Sequence, residues 1–163
     1  MSKDRPPAPR AESGAFRLGV AWIMMWAALA IHVTDEALSG FLLVYNPTVL
    51  ALRAKLGYWP MPTFEFREWL TDLTVGIIIL ALLSPLAFRN AAWFRAFFFF
   101  VAIVAGLLNA TGHTIATILG HTVDTVRFPR PAPGFYSSPL LILVSIYALL
   151  QLRRSRSRVW PHS

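Results

Sequence analysis

Four long apolar runs constrain this chain more than anything else in its sequence. They extend from Phe16 to Val33, from about Leu70 to Phe88, from Ala91 to Leu119 and from Phe135 to Leu152. Each approaches the roughly 20 residues that an α-helix needs to cross about 30 Å of hydrocarbon. None alternates with period two, so the strands of a membrane barrel are a poor alternative. Composition points the same way: of 163 residues, 56% are hydrophobic and 14% charged, against roughly 25% charged in an average soluble domain. That polar supply is too small to coat a core, which argues against a soluble enzyme. The expected fold is therefore all-α, an integral membrane bundle of four transmembrane helices over about residues 16–36, 68–88, 91–119 and 135–152. Residues 1–15 form an N-terminal tail and residues 153–163 a basic C-terminal one. The chain is expected to be a multi-pass protein of the cell membrane, with the lipid bilayer as its constant partner.

The first run also admits a second reading. Lys3, Arg5 and Arg10, an apolar stretch and then Ala28-Leu29-Ala30 resemble a signal peptide with its cleavage site. Against this, apolar character resumes through Phe41-Leu42-Leu43-Val44-Tyr45, and cleavage would leave His32 beside a raw terminus. The expectation is a retained first span.

Basic residues set the orientation. With an even number of spans both tails share one side, which takes Lys3, Arg5, Arg10, Arg17, Arg89, Arg95, Arg153, Arg154, Arg156 and Arg158. The other side takes Arg53, Lys55, Arg67, Arg127 and Arg130. The positive-inside rule then puts both termini in the cytoplasm. The formal charge of +7 invites a nucleic-acid reading, but the terminal Arg-Arg-Ser-Arg-Ser-Arg reads more simply as an anchor touching anionic headgroups, and no nucleic-acid partner is expected. Acidic residues are biased the opposite way. Asp35, Glu36, Glu65, Glu68, Asp72 and Asp124 belong to the outer half, with His32, His113 and His121. The residues capable of chemistry thus gather at one membrane face.

Between the first two spans, Asn46 can cap a helix whose first position is Pro47 and which Gly57 closes. Val49, Leu50, Leu52 and Leu56 alternate there with Arg53 and Lys55, and Tyr58-Trp59 follow. A short interfacial helix on the outer surface is expected, though packing on the bundle rim fits the same amphipathic pattern.

Polar residues inside the spans carry the functional signal. At the outer end of the first helix, His32 and Glu36 are four apart on one face and Asp35 is close to it. A helix simply leaving the membrane would carry such charges too. The third span adds Asn109 and His113, again four apart, with Thr117 one turn on. His113 lies roughly 9 Å below the rim at 1.5 Å per residue, and His32 lies at a matching depth if the first helix ends near Ser39-Gly40. At the mouth of the second span, Asp72 is the acid expected to turn inward, while Glu65 and Glu68 suit a solvated first turn. Before the last span, Pro133-Gly134 permits a tight turn, and Ser137 or Ser138 would cap the helix while presenting a hydroxyl to the same layer.

At these positions the chain resembles the bacterial HXXEE-motif membrane proteins, marked by HxxEE, NxxxH and a YxPGxxT-like element in that order. His32-Val33-Thr34-Asp35-Glu36 looks like the first motif, with Asp35 for the first Glu, and Asn109 with His113 fits the second. Pro131-Ala132-Pro133-Gly134-Phe135-Tyr136-Ser137 looks like the third, with Pro131 replacing Tyr and Ser137 replacing Thr. The resemblance reaches over about residues 16 to 152. It implies an enzymatic or metal-binding site at these residues and supplies no substrate.

Three functions follow from this layer. In the first, the protein is a membrane-embedded metal-dependent enzyme, a hydrolase of a lipid or lipid-linked substrate. Imidazole with carboxylate suits Zn, Fe or Mn. His32 and His113 are then metal ligands, Glu36 or Asp72 completes the set, and the remaining carboxylate, Asp35 among the candidates, is the general base. Asn109 orients a ligand or polarises a substrate oxygen. The spacing is not HExxH, so no analogy to zincins applies. Haem held by both histidines is disfavoured by the neighbouring carboxylates. In the second, the layer belongs to a small metal or proton transporter, which the apolar inner halves of the spans oppose. In the third, the protein is a non-catalytic scaffold or accessory subunit. Hydrogen bonds between membrane helices contribute only about 0.6 to 2 kcal/mol each, which makes so polar a layer more than helix association requires.

Overall fold

The protein is described here from a computed structural model that covers residues 10–123 and 125–156. Residues 1–9 of the expected N-terminal tail, Asp124, and the basic tail beyond residue 156 lie outside the described residues. The chain is 78% helical, with a single two-stranded hairpin among the described residues, which establishes the all-α class. Among the described residues seven α-helices follow one another: α1 (Arg10–Ser39), α2 (Leu42–Leu56), α3 (Phe66–Leu82), α4 (Ser84–Phe88), α5 (Ala92–Phe100), α6 (Asn109–Leu119) and α7 (Ser138–Arg156). A π-helical segment, Val101–Leu108, joins α5 to α6 in one rod, and strands β1 (His121–Val123) and β2 (Val126–Arg127) form the hairpin. Among the described residues, three stretches are long and apolar enough to cross a membrane: Gly14–Ser39, Phe66–Phe88 and Ala92–Leu119.

Local chemistry explains where these helices stop. Gly40 takes a left-handed conformation at φ 77° and the Phe41 N–H returns to the Glu36 carbonyl at 3.0 Å, the closing bond of a Schellman turn. The chain thereby reverses one turn after Glu36. The second span breaks at Leu83, because Pro85 in the first turn of α4 has no N–H to continue the ladder. Gly57 and Gly120 close α2 and α6 in the same left-handed conformation.

Three boundaries differ from expectation, the first being that α1 already starts at Arg10, inside the expected tail of residues 1–15. Helix α2 starts at Leu42, and Pro47 lies inside it, not at its first position. Proline costs a helix the bond from its own nitrogen, but here the start at Leu42 directly continues the Phe41 turn. Asn46, expected as the cap, instead clamps the linker: its Nδ2 donates to the Phe64 carbonyl at 2.8 Å and its Oδ1 accepts the Phe64 N–H at 3.1 Å. The last helix begins at Ser138, later than Phe135, because Pro131 to Ser137 are folded into the loop that reaches the site. It runs on to Arg156, so its apolar part stops at Leu152, before Arg153 and Arg154.

The core sits where α1, α5, the π segment and α7 meet. Leu18, Trp22, Met25, Phe94, Phe98, Ala102, Leu141 and Ala148 are completely or almost completely buried. Trp22 is surrounded by Phe94 and Phe98 at ring distances of 4.7 and 4.9 Å, both edge-on, an arrangement worth about 0.5–1.5 kcal/mol per pair beyond area. Its Nε1 donates to the Leu80 carbonyl at 2.9 Å, tying α3 to α1. Close approach of α7 to the π segment requires Gly106, since a Cβ there would collide with the Ser145 hydroxyl. By contrast, α3 buries only Trp69 and leaves Val75, Ile78, Ile79 and Leu82 exposed. A helix apolar on its outward faces is stable in hydrocarbon and a liability in water.

Candidate metal centre

His32, Glu36 and His113 converge at the end of the bundle where α1 reverses. His32 and Glu36 come from adjacent turns of α1, and His113 from the middle of α6, so the helical spacing seen in sequence does place each pair of motif residues on one face. All three are buried, at 1%, 5% and 8% exposure, which matters because isolated ionisable groups are expensive there. Nε2 of His113 lies 3.0 Å from Oε1 of Glu36, and Nε2 of His32 lies 3.6 Å from the same oxygen. The imidazole rings meet edge-on with centroids 4.9 Å apart. One donor atom from each residue lies within 4.8 Å of the others. Tetrahedral bonds of 2.0–2.1 Å require donor separations of about 3.3 Å, so small rotations suffice to seat an ion.

The orientation of His32 adds a chemical argument. Its Nδ1 is 2.7 Å from the Ser137 hydroxyl. That hydroxyl is also 2.8 Å from Oδ2 of Asp35, which accepts the Ser137 backbone N–H at 2.8 Å as well. A carboxylate takes the hydroxyl proton, so Nδ1 supplies the proton of its own bond and Nε2 is left as a bare lone pair. Nε2 of His32 is buried without a hydrogen-bond partner among the described residues. Such atoms are rare and call for an explanation, and a cation among three buried donors provides one.

Backbone of the proline loop forms the remaining wall. Gly134 has φ 81°, and a Cβ on it would stand 2.9 Å from the His113 ring and 3.1 Å from Cγ of Glu36. Only glycine allows the loop so close. Thr117 fastens this loop to α6: its hydroxyl donates to the His113 carbonyl at 2.9 Å and accepts the Ala132 N–H at 3.0 Å. Ser39 adds a second tie, accepting the Gly134 N–H at 3.3 Å.

A cavity of about 280 Å³ opens beside His113. Phe41 of the turn before α2, Val44 and Tyr45 of α2, Leu108 and Asn109 of the rod, and Phe128 of the loop form much of its wall, and Thr48, Asn109 and His113 are among its polar lining residues. Burial raises the Tyr45 phenol above its usual pKa, with Arg53 opposing; the phenol therefore stays protonated and donates to the Pro62 carbonyl at 3.0 Å.

Of the residues singled out from sequence, His32, Glu36 and His113 are brought together, and Asn109 lines the cavity beside them. Asp35 is adjacent but engaged by Ser137, a positioning role that the sequence reading did not assign to it. Asp72 does not join them. It is exposed on α3, which reaches the bundle through Trp69 and Leu80, and lies outside the three-residue group. His121 is exposed on β1, and Glu65 and Glu68 are exposed at the start of α3. The capping role foreseen for the serines is also corrected: Ser137 is spent on Asp35 and His32, and the Ser138 hydroxyl donates back to the Gly134 carbonyl at 2.7 Å. Their separation from α1 by about a hundred residues left no local signal for the Ser137 contact. Comparison with family models, with curated proteins and with solved structures returns no match.

Proposed function

We propose that the protein is a metal-dependent hydrolase embedded in the membrane, acting on a lipid or lipid-linked substrate. The observation that carries this reading is the buried His32–Glu36–His113 group with its unpartnered Nε2 atom. Two imidazoles and one carboxylate suit Zn, Fe or Mn, and three protein ligands with one open position are the pattern of catalytic rather than structural sites. A divalent ion in that position supplies a Lewis acid and lowers the pKa of a water it binds. His32, Glu36 and His113 would hold such an ion, and Asn109, which lines the cavity, would orient a ligand or polarise a substrate oxygen. Asp35 and Ser137 orient His32. The apolar wall of Phe41, Val44 and Leu108 suits the hydrocarbon part of the substrate.

In the same reading α7 is a fourth span, both termini are cytoplasmic and the site opens near the outer face. The order of motifs that resembles the HXXEE-motif proteins is consistent with a site built on these residues. The test is metal content of the full-length chain in detergent, measured by mass spectrometry beside His113→Ala. About one Zn, Fe or Mn per chain, lost in the variant, is expected. No metal in the wild-type protein after supplementation overturns the metalloenzyme reading. The second reading, a scaffold, then takes its place: the Glu36–His113 pair and the His32–Ser137–Asp35 chain already link α1, α6 and the start of α7 without an ion.

A further inference from the structure

The end of the bundle remote from His113 carries a second polar feature. Arg95, Phe99 and Ile103 follow one another at four-residue intervals along α5 and the π segment, hence on one face. Leu149, Leu152 and Arg153 of α7 face them across a groove of about 290 Å³. Both arginines stand at the same end of this groove, since α5 begins at Ala92 and α7 ends at Arg156. The other four lining residues are apolar and run inward from them. Arg95 is held at the rim by Asn90, through Nη1 to the carbonyl at 3.4 Å and to the side-chain oxygen at 3.2 Å. A guanidinium has five donors, so the Asn90 contacts leave most of them for a ligand.

Among the residues whose side chains are described, the charge at this end is basic. Arg17, Arg89 and Arg154 are exposed there as well. The acids whose side chains are described, Asp35, Glu36, Glu65, Glu68 and Asp72, all belong to the opposite end, where α1 finishes and α3 starts. We propose that the groove between α5 and α7 is a binding site for an anionic glycerophospholipid, its phosphate between Arg95 and Arg153 and one acyl chain along Phe99, Ile103, Leu149 and Leu152. Paired guanidinium groups match phosphate oxygens in geometry as well as charge. Basic pockets between membrane helices recognise anionic headgroups in this way. A zwitterionic lipid offers the same chains with a cation that the arginines repel. Free phosphate offers the charge without the chains and leaves the apolar wall uncovered. The site is independent of the metal centre, from which the length of the bundle separates it.

The experiment uses the full chain in detergent and native mass spectrometry, with phosphatidylglycerol, phosphatidylcholine or inorganic phosphate added. Phosphatidylglycerol is expected to remain bound at roughly tenfold higher occupancy than phosphatidylcholine, and inorganic phosphate at equal concentration does not displace it. Arg95→Gln with Arg153→Gln removes the preference, Arg95→Lys with Arg153→Lys keeps part of it, and Arg17→Gln with Arg89→Gln, exposed at the same end but outside the groove, leaves it intact. Ile103→Trp, which fills the groove without touching charge, lowers occupancy for both lipids. Equal retention of the two lipids, an unchanged preference in the double Gln variant, or displacement by phosphate alone overturns the proposal.

Discussion

Replacing Ser137 by alanine separates the two sides of the His32 ring. The variant removes the 2.7 Å bond to Nδ1 and the hydroxyl bond to Asp35, which keeps the Ser137 backbone N–H, and it leaves every proposed ligand in place. Partners of this kind tune affinity, and their loss weakens metal binding roughly 10–100-fold. A chelator competition titration reads that loss; wild-type affinity in Ser137→Ala would remove Ser137 and Asp35 from any account of the site. Gly134→Ala acts on geometry alone. At φ 81°, with a Cβ directed at the His113 ring, the variant should lose about 1–3 kcal/mol of stability, measured by denaturant unfolding in micelles. At this scale the sequence was informative where contacts are local. His32 with Glu36 and Asn109 with His113 each lie four apart, so helical geometry aligned them. Ser137 with Asp35 is a contact 102 residues long, and no spacing rule reaches that far. Asp72, which spacing alone points inward, is exposed for a related reason: spacing gives the face of a helix, but which face meets the bundle depends on Trp69 and Leu80, whose partners lie on other elements.

Two glycines test how the elements fit together. Gly106→Ala forces α7 away from the π segment, because Ser145 occupies the space, and overpacking of this kind costs about 1–3 kcal/mol. Gly76→Ala meets nothing within 4 Å on α3 and should stabilise that helix by roughly 0.5–1 kcal/mol. Unfolding of both variants in detergent should therefore shift in opposite directions; shifts of the same sign would contradict the packing of α7 on the rod. Element type is readable in the long apolar runs, whose length and hydrophobicity leave a helix few rivals, but the β1–β2 hairpin and the π segment carry no such signal. Helix ends were less readable. Pro47 suggested a helix start and lies inside α2, since the Gly40 turn had already committed the backbone to helix at Leu42. The loop from Pro131 to Ser137 was counted partly as span, because Phe135 and Tyr136 are apolar in composition while their backbone is held by the site.

For the whole molecule, the absence of cysteine makes the topology directly measurable. In the arrangement with cytoplasmic termini, Lys55→Cys reacts with an impermeant maleimide on intact cells, while Arg89→Cys and Arg154→Cys react only after permeabilisation. Labelling of all three from one side would contradict it. The π segment has a consequence on this scale too. In a regular helix the angular phase set at one end is transmitted unchanged to the other, about 100° per residue. The wide turns of Val101–Leu108 absorb an offset between the part of the rod that packs Phe94 and Phe98 around Trp22 and the part that aims Asn109 and His113. Removing one residue from that segment would tighten it and rotate the second part by roughly 100° relative to the first. The aromatic anchor would then survive while the histidine swung off its partners. The rod behaves as two independently indexed parts on one shaft, so the aromatic anchor can drift in sequence without re-aiming Asn109 and His113.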